Sequence, residues 1–138
     1  MAQLEDIYPD LLRMHYEQPH NCVVLEDASA TGSASNPLCG DELSVYLKNE
    51  GDKVAKVTFQ GHLCAVATAS ASMMSEAVKN KSLEEVAQIR EAFAGMMRGR
   101  DSASLGDLDA LQSVRRYRVR VRCALLPWQA LLEACNAL

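Results

Sequence analysis

Residues 43–59 read LSVYLKNEGDKVAKVTF, and the pattern of this stretch decides the fold. In Leu43-Ser44-Val45-Tyr46-Leu47 the apolar residues Leu43, Val45 and Leu47 fall on one face of an extended chain. In Val54-Ala55-Lys56-Val57-Thr58-Phe59 the alternating set is Ala55, Val57 and Phe59. Asn49-Glu50-Gly51-Asp52 lies between the two runs and supplies turn chemistry, which predicts an antiparallel hairpin. Beyond it the period changes. After Cys64 the run AVATASASMMSEAVKN (65–80) holds neither Gly nor Pro and is rich in alanine, so it reads as a helix of small residues that packs closely on a sheet. A hairpin followed by helices is an α+β arrangement.

Working outward, Leu4 to Glu17 reads as a first helix, with Leu4, Ile7, Leu11, Leu12 and Tyr16 on one face and Pro9 tolerated only near the start. Cys22-Val23-Val24-Leu25 is a short strand candidate and could add a third member to the sheet. Ala28 to Gly40 is small, polar and punctuated by Gly and Pro, which reads as a loop. Ser82-Leu83-Glu84-Glu85 is a capping box opening a helix through Val86, Ile89, Phe93 and Met96/Met97, ending before Gly99. Arg100 to Gly106 reads as a loop and Leu108 to Arg115 as a short helix. Tyr117 to Arg122 (YRVRVR) alternates like a strand, whereas Leu125 to Leu138 has helical spacing. The expectation is a small antiparallel sheet of about three strands, covered on one face by several helices, in one domain spanning 1–138.

The 138 residues are 49% apolar and 23% charged, which excludes disorder and collagen-like repeats. A net charge of −4 and a pI near 5.3 argue against a general nucleic-acid binder. No apolar run is long enough to span a bilayer, and the acidic start MAQLEDIYPD has no signal-peptide pattern, so no membrane association and a cytoplasmic location are expected.

Five cysteines, Cys22, Cys39, Cys64, Cys123 and Cys135, do not suit a disulfide framework in a reducing compartment. Buried thiols, a catalytic thiol and a metal site all stay open. Three of them stand at expected element ends: Cys39 between loop and strand, Cys64 before the Ala-rich helix, and Cys123 near the start of the last helix. A helix N-terminus favours thiolate, the form that binds metal or attacks sulfur. Asp41 shares a strand face with Cys39 and is a candidate ligand or general base. No pair has C-x-x-C spacing, so any shared site must be assembled by tertiary folding.

The stretches around these residues carry more information. NPLCGD (36–41), FQGHLCAVATASASMM (59–74), LGDLDALQSV (105–114) and RCALLPWQAL (122–131), with HYEQPHN (15–21) ahead of them, cover nearly the whole chain in order. In these stretches the sequence resembles the U-type iron–sulfur cluster assembly proteins, and the SufU branch more than the IscU branch. Arg122 stands where the IscU branch has a histidine before the third cysteine, and Tyr117–Val121 stands where that branch has its chaperone-recognition motif. Ala94–Leu111 supplies the extra segment of the SufU branch. Gly61-His62-Leu63 departs from the family pattern, leaving His62 as a surface residue or an auxiliary ligand.

The resemblance implies that Cys39, Asp41, Cys64 and Cys123 form one metal site. It implies Zn²⁺, or alternatively iron or a [2Fe–2S] cluster; sulfur ligands suit these and not Mg²⁺ or Ca²⁺. It further implies a sulfurtransferase-type acceptor that takes persulfide sulfur from a cysteine desulfurase onto Cys39. The alternative is a non-enzymatic scaffold that hands clusters to downstream apo-proteins or carriers. The run Arg115–Arg122 reads as a solvated face or, with only Tyr117 among its arginines to stack on a base, as a nucleic-acid surface, while Arg122 itself could offset the charge of the thiol site or meet an acidic partner surface. Met73, Met74, Met96 and Met97 read as core.

Overall fold

The structure is a computed structural model that describes residues 9–100 and 104–138. Helix α1 spans Pro9–Glu17; the expected helical positions Leu4 and Ile7 lie outside the described residues. Strands β1 (Ala30–Asn36), β2 (Asp41–Glu50) and β3 (Lys53–His62) form an antiparallel meander, and the two-residue β4 (Lys81–Ser82) pairs with Lys53 and Val54. Helix α2 (Ala65–Val78) lies between β3 and β4, and α3 (Leu83–Met97) follows β4. A 3-10 helix (Gly106–Val114) then leads into α4 (Arg118–Asn136). The class is α+β, with four strands in the order β1-β2-β3-β4 instead of about three.

The central hairpin forms because its alternation matches the pleat. Val45 pairs with Phe59 and Leu47 with Val57, and all four are buried on the face that meets the helices. The ladder slips between Lys48 and Asn49, so Lys48 opposes Lys56 while Asn49 opposes Val54. Ala55 is the extra residue of this bulge, and the parity of the strand flips there. Val54 is therefore fully buried, whereas Ala55, expected inside, is only half-buried.

Three expectations are corrected. Cys22–Leu25 is not a strand: the amide of Phe59 donates to the carbonyl of Asn21, but no ladder continues from it. The third long strand is instead β1, inside the stretch expected to be a loop. Its burial comes from smallness. A Cβ on Gly32 would lie 2.2 Å from the Ala130 carbonyl oxygen and 2.3 Å from the Ala134 nitrogen, so the backbone of α4 rests directly on this strand. Polarity hides such a strand, because close packing of backbones needs no large apolar side chain.

The third correction is at YRVRVR, which is helical from Arg118. Alternation specifies a strand only where one face is buried. Here Val119 is 65% exposed, so the alternation has no buried face. The buried stripe of α4, from Cys123 through Leu131 to Ala134, has helical spacing.

Helices α2 and α4 are locked by one small side chain. Ser70 Oγ donates to the Ala124 carbonyl at 2.5 Å and accepts from Trp128 Nε1 at 3.1 Å. Trp128 in turn stacks on Phe93 of α3 at 4.6 Å between ring centroids. The four core methionines, Met73, Met74, Met96 and Met97, are all buried. At Ser82 both arms of the capping box are present, at 3.0 and 3.1 Å.

Candidate metal centre

The site is assembled from a turn, a strand end and two helices. Asn36 builds the turn between β1 and β2. Its carbonyl accepts the amides of Cys39 and Gly40, and its side chain accepts that of Leu38 at 3.1 Å. Gly40 closes the turn at φ +76°, a conformation that disfavours a side chain. Leu38 and Cys39 are thereby held on the outside, with Leu38 81% exposed. The end of the expected loop, around Cys39, is thus a tight turn.

Asp41 is the first residue of β2 and continues its inward face beyond Leu43, Val45 and Leu47. It is 6% exposed. Its Oδ1 accepts the Cys64 amide at 3.0 Å, while its Oδ2 is buried without a hydrogen-bond partner. Cys64 is the N-cap of α2, and its sulfur accepts the Ala67 amide at 3.4 Å. Cys123 comes from the second turn of α4 and is 4% exposed. Four residues later stands Pro127, which has no N–H to offer the Cys123 carbonyl, so the helical ladder is interrupted where the thiol is presented.

The ligand atoms of Cys39, Asp41 and Cys123 all lie within 4.8 Å of one another. Cys64 is outside that tight group but touches two of its members, through its amide to Asp41 and through its thiol to Cys123.

The thiol electrostatics differ from the expectation. Burial pushes the Cys64 thiol up, and the N-cap bond from Ala67 only partly opposes this. Cys123 is not at a helix N-terminus, since α4 begins five residues earlier. Its thiol is pushed far above the ordinary range by burial first, then by Cys64 and by the nearby Cys39 and Asp41. Burial and neighbouring acid groups oppose ionisation of the Cys64 and Cys123 thiols, and a carboxylate oxygen beside them lacks a donor. A soft divalent cation relieves both conditions, so the donor set fits zinc or iron.

Other candidates are not members of this group. His62 is exposed at the end of β3. His15 is 3% exposed and its Nδ1 bonds Ser72 Oγ at 2.7 Å, while the His20 amide donates to the same hydroxyl. Burial lowers the His15 pKa, with His20 adding to the effect. Cys22 is exposed and Cys135 half-buried, and neither belongs to the group. Sequence reasoning gave no role to Asn36 or Ser70. The Asn-Pro step with Gly40 four residues on is a turn signal that could have drawn attention to Asn36, whereas Ser70 in an Ala/Ser-rich helix carries no signal.

A small α+β domain with thiols and a carboxylate gathered from a turn, a strand start and two helices is the class that fold and site define. The family model for the NifU-like N-terminal domain matches residues 7–124, and the chain belongs to this family. It is 40% identical over 133 residues to the zinc-dependent sulfurtransferase SufU of Bacillus subtilis strain 168, covering 94% of this chain and 90% of that protein. The iron–sulfur cluster assembly scaffold protein IscU of Streptococcus pyogenes serotype M1 is 34% identical, with 97% and 86% covered. A crystal structure from Fervidobacterium islandicum AW-1, described as a SUF-system cluster assembly scaffold, superposes with a TM-score of 0.88 at 31% identity, covering 95% of this chain and 98% of that one. Among the described residues no helix is long and apolar enough to cross a membrane.

Proposed function

We propose that residues 1–138 form one U-type assembly domain that serves iron–sulfur cluster biogenesis as a zinc-holding sulfur acceptor for a cysteine desulfurase. The observation that supports this most is the approach of Cys39, Asp41 and Cys123 within 4.8 Å, with the Cys64 amide on Asp41. Cys39, Asp41, Cys64 and Cys123 would hold the ion. Zinc, when bound, supplies positive charge that favours the thiolate forms of its sulfur ligands.

The residues divide the remaining work. Cys39, on the exposed turn, is the acceptor: its thiolate attacks the outer sulfur of the desulfurase persulfide, one S–S bond forms as another breaks, and the desulfurase thiolate leaves. The exchange needs no outside oxidant or reductant. Asp41 is the ligand most easily given up, because carboxylate is harder than thiolate. Cys64 and Cys123 anchor the site within the framework. The IscU-type relatives favour the scaffold reading as the second one, with iron or a [2Fe–2S] cluster on the same residues and downstream apo-proteins as recipients.

The test is to mix the purified protein with a desulfurase and cysteine while recording metal content. Wild type should retain zinc and raise alanine production. Cys39→Ser, Cys64→Ser and Cys123→Ser should each lose both metal and stimulation. Asp41→Ala should retain metal through three thiolates but show weakened stimulation. Absence of stimulation by wild type overturns the acceptor reading. Retention of iron in place of zinc, with transfer of an intact cluster to an apo-protein, selects the scaffold.

A further inference from the structure

The arginines around the start of α4 have no part in the thiol site. The end of α3, the end of the 3-10 helix and the first turns of α4 together line an open groove of about 750 Å³, with Arg98, Arg115, Arg116, Arg118 and Arg122 on its walls. Arg115 Nη1 donates to the Met96 carbonyl at 3.2 Å, which fixes the junction against the C-terminal end of α3. Among the described residues no carboxylate forms an ion pair with any of these five side chains. Arg120 is engaged elsewhere, 5.8 Å from the centroid of the Tyr117 ring.

The groove is not merely basic. Met97, Val121 and Leu125 also line it, and Val121 and Leu125 stand one helical turn apart. Guanidiniums that line one groove repel one another, and an anionic ligand relieves that repulsion. On a chain of net charge −4 the feature is local, so it selects a surface and not a general anion binder. Carboxylates suit the fork geometry of arginine, and the apolar positions between the charges suit a side chain of the same partner. Among the described residues no aromatic side chain lines the groove for base stacking.

We propose that this groove docks an acidic segment of a partner protein, with its carboxylates on the arginine walls and an apolar side chain over Val121 and Leu125. The inference goes beyond the sulfur-acceptor reading and does not depend on it, because it concerns binding by a groove that contains none of the four site residues. Arg122 immediately precedes Cys123, so a docked segment would lie beside the thiol site.

The probe is a fluorescein-labelled peptide of repeating Asp-Leu-Glu, followed by anisotropy with the full chain. Wild type should bind it, and raising salt from about 50 mM to about 300 mM should weaken binding. Arg116→Glu/Arg118→Glu should lose about tenfold or more in affinity, and a peptide with serine for leucine should bind more weakly than the parent. Circular dichroism and zinc content of the double variant should match wild type. If the charge reversal misfolds, the milder Arg116→Gln/Arg118→Gln pair supplies the same comparison. No binding by wild type, equal binding by a folded variant, or equal binding of the serine peptide overturns the proposal. So does an oligothymidylate that binds at least as tightly and displaces the peptide, which would assign the groove to nucleic acid.

Discussion

Cys39 and Cys123 bring sulfur to the same few ångströms from opposite kinds of structure. Cys39 sits on an exposed turn held by hydrogen bonds to one asparagine, with nothing packed against the glycine beside it. Cys123 is buried in a helix whose backbone lies against β1 and whose tryptophan is tied to Ser70. The contrast teaches that reach and placement are separate tasks. The turn offers a sulfur to whatever approaches, and the interior sets where a second sulfur waits.

The sharpest way to break the contrast is through its two glycines. Gly32→Ala drives a methyl group into the backbone of α4 and should cost about 3 kcal/mol in thermal or urea unfolding. Gly40→Ala meets open space and suffers only from its positive φ, about 1 kcal/mol. Equal losses would mean that α4 does not rest on β1 as described.

Next come the thiols in the metal-free protein. Cys123→Ser puts a hydroxyl in a buried place and should cost about 1–3 kcal/mol, while Cys39→Ser should stay within about 0.5 kcal/mol by the same urea titration. Alkylation with iodoacetamide near pH 8, mapped by mass spectrometry, should modify Cys39 about tenfold or more faster than Cys123. Burial and neighbouring acid groups keep the latter protonated, and thiolate is the reactive form. Comparable rates would remove the distinction between the two.

The shallowest effect concerns His15, a buried group that is not part of the thiol cluster. Its folded pKa is depressed, so it adds no penalty above the ordinary imidazole value of about 6.5, and stability should fall as pH drops below that value. Urea midpoints at about pH 7.5 and pH 5.5 check this, and His15→Gln should flatten the slope across that window.

What the sequence reveals follows the same division. The hairpin is legible because Val45, Leu47, Val57 and Phe59 bury one face of a pleat, and α3 is legible because Ser82 and Glu85 cap it with side chains. β1 is not, because its buried positions Ala30 and Gly32 are small and are covered by the approach of another backbone, which polarity does not record. The bulge at Ala55 is invisible to a strict period of two. At the site, spacing alone could not join Cys39 to Cys123, since their meeting depends on how α4 crosses the sheet. The family resemblance supplied that grouping. It did not reveal the unpaired Asp41 oxygen or the upward shift of the thiols, which arise from burial.

The separation of Cys39 and Cys123 along the chain has one more consequence. The hairpin, α2, α3 and the 3-10 helix all lie between them. An ion touching both sulfurs closes these elements into a ring, as a disulfide would, but by bonds that can be reversed. A covalent cross-link around so long a loop withdraws unfolded-state freedom worth on the order of 4 kcal/mol. Loading the ion would therefore tighten the whole chain, and surrendering it would leave a molecule that breathes more readily and is more easily cut by proteases.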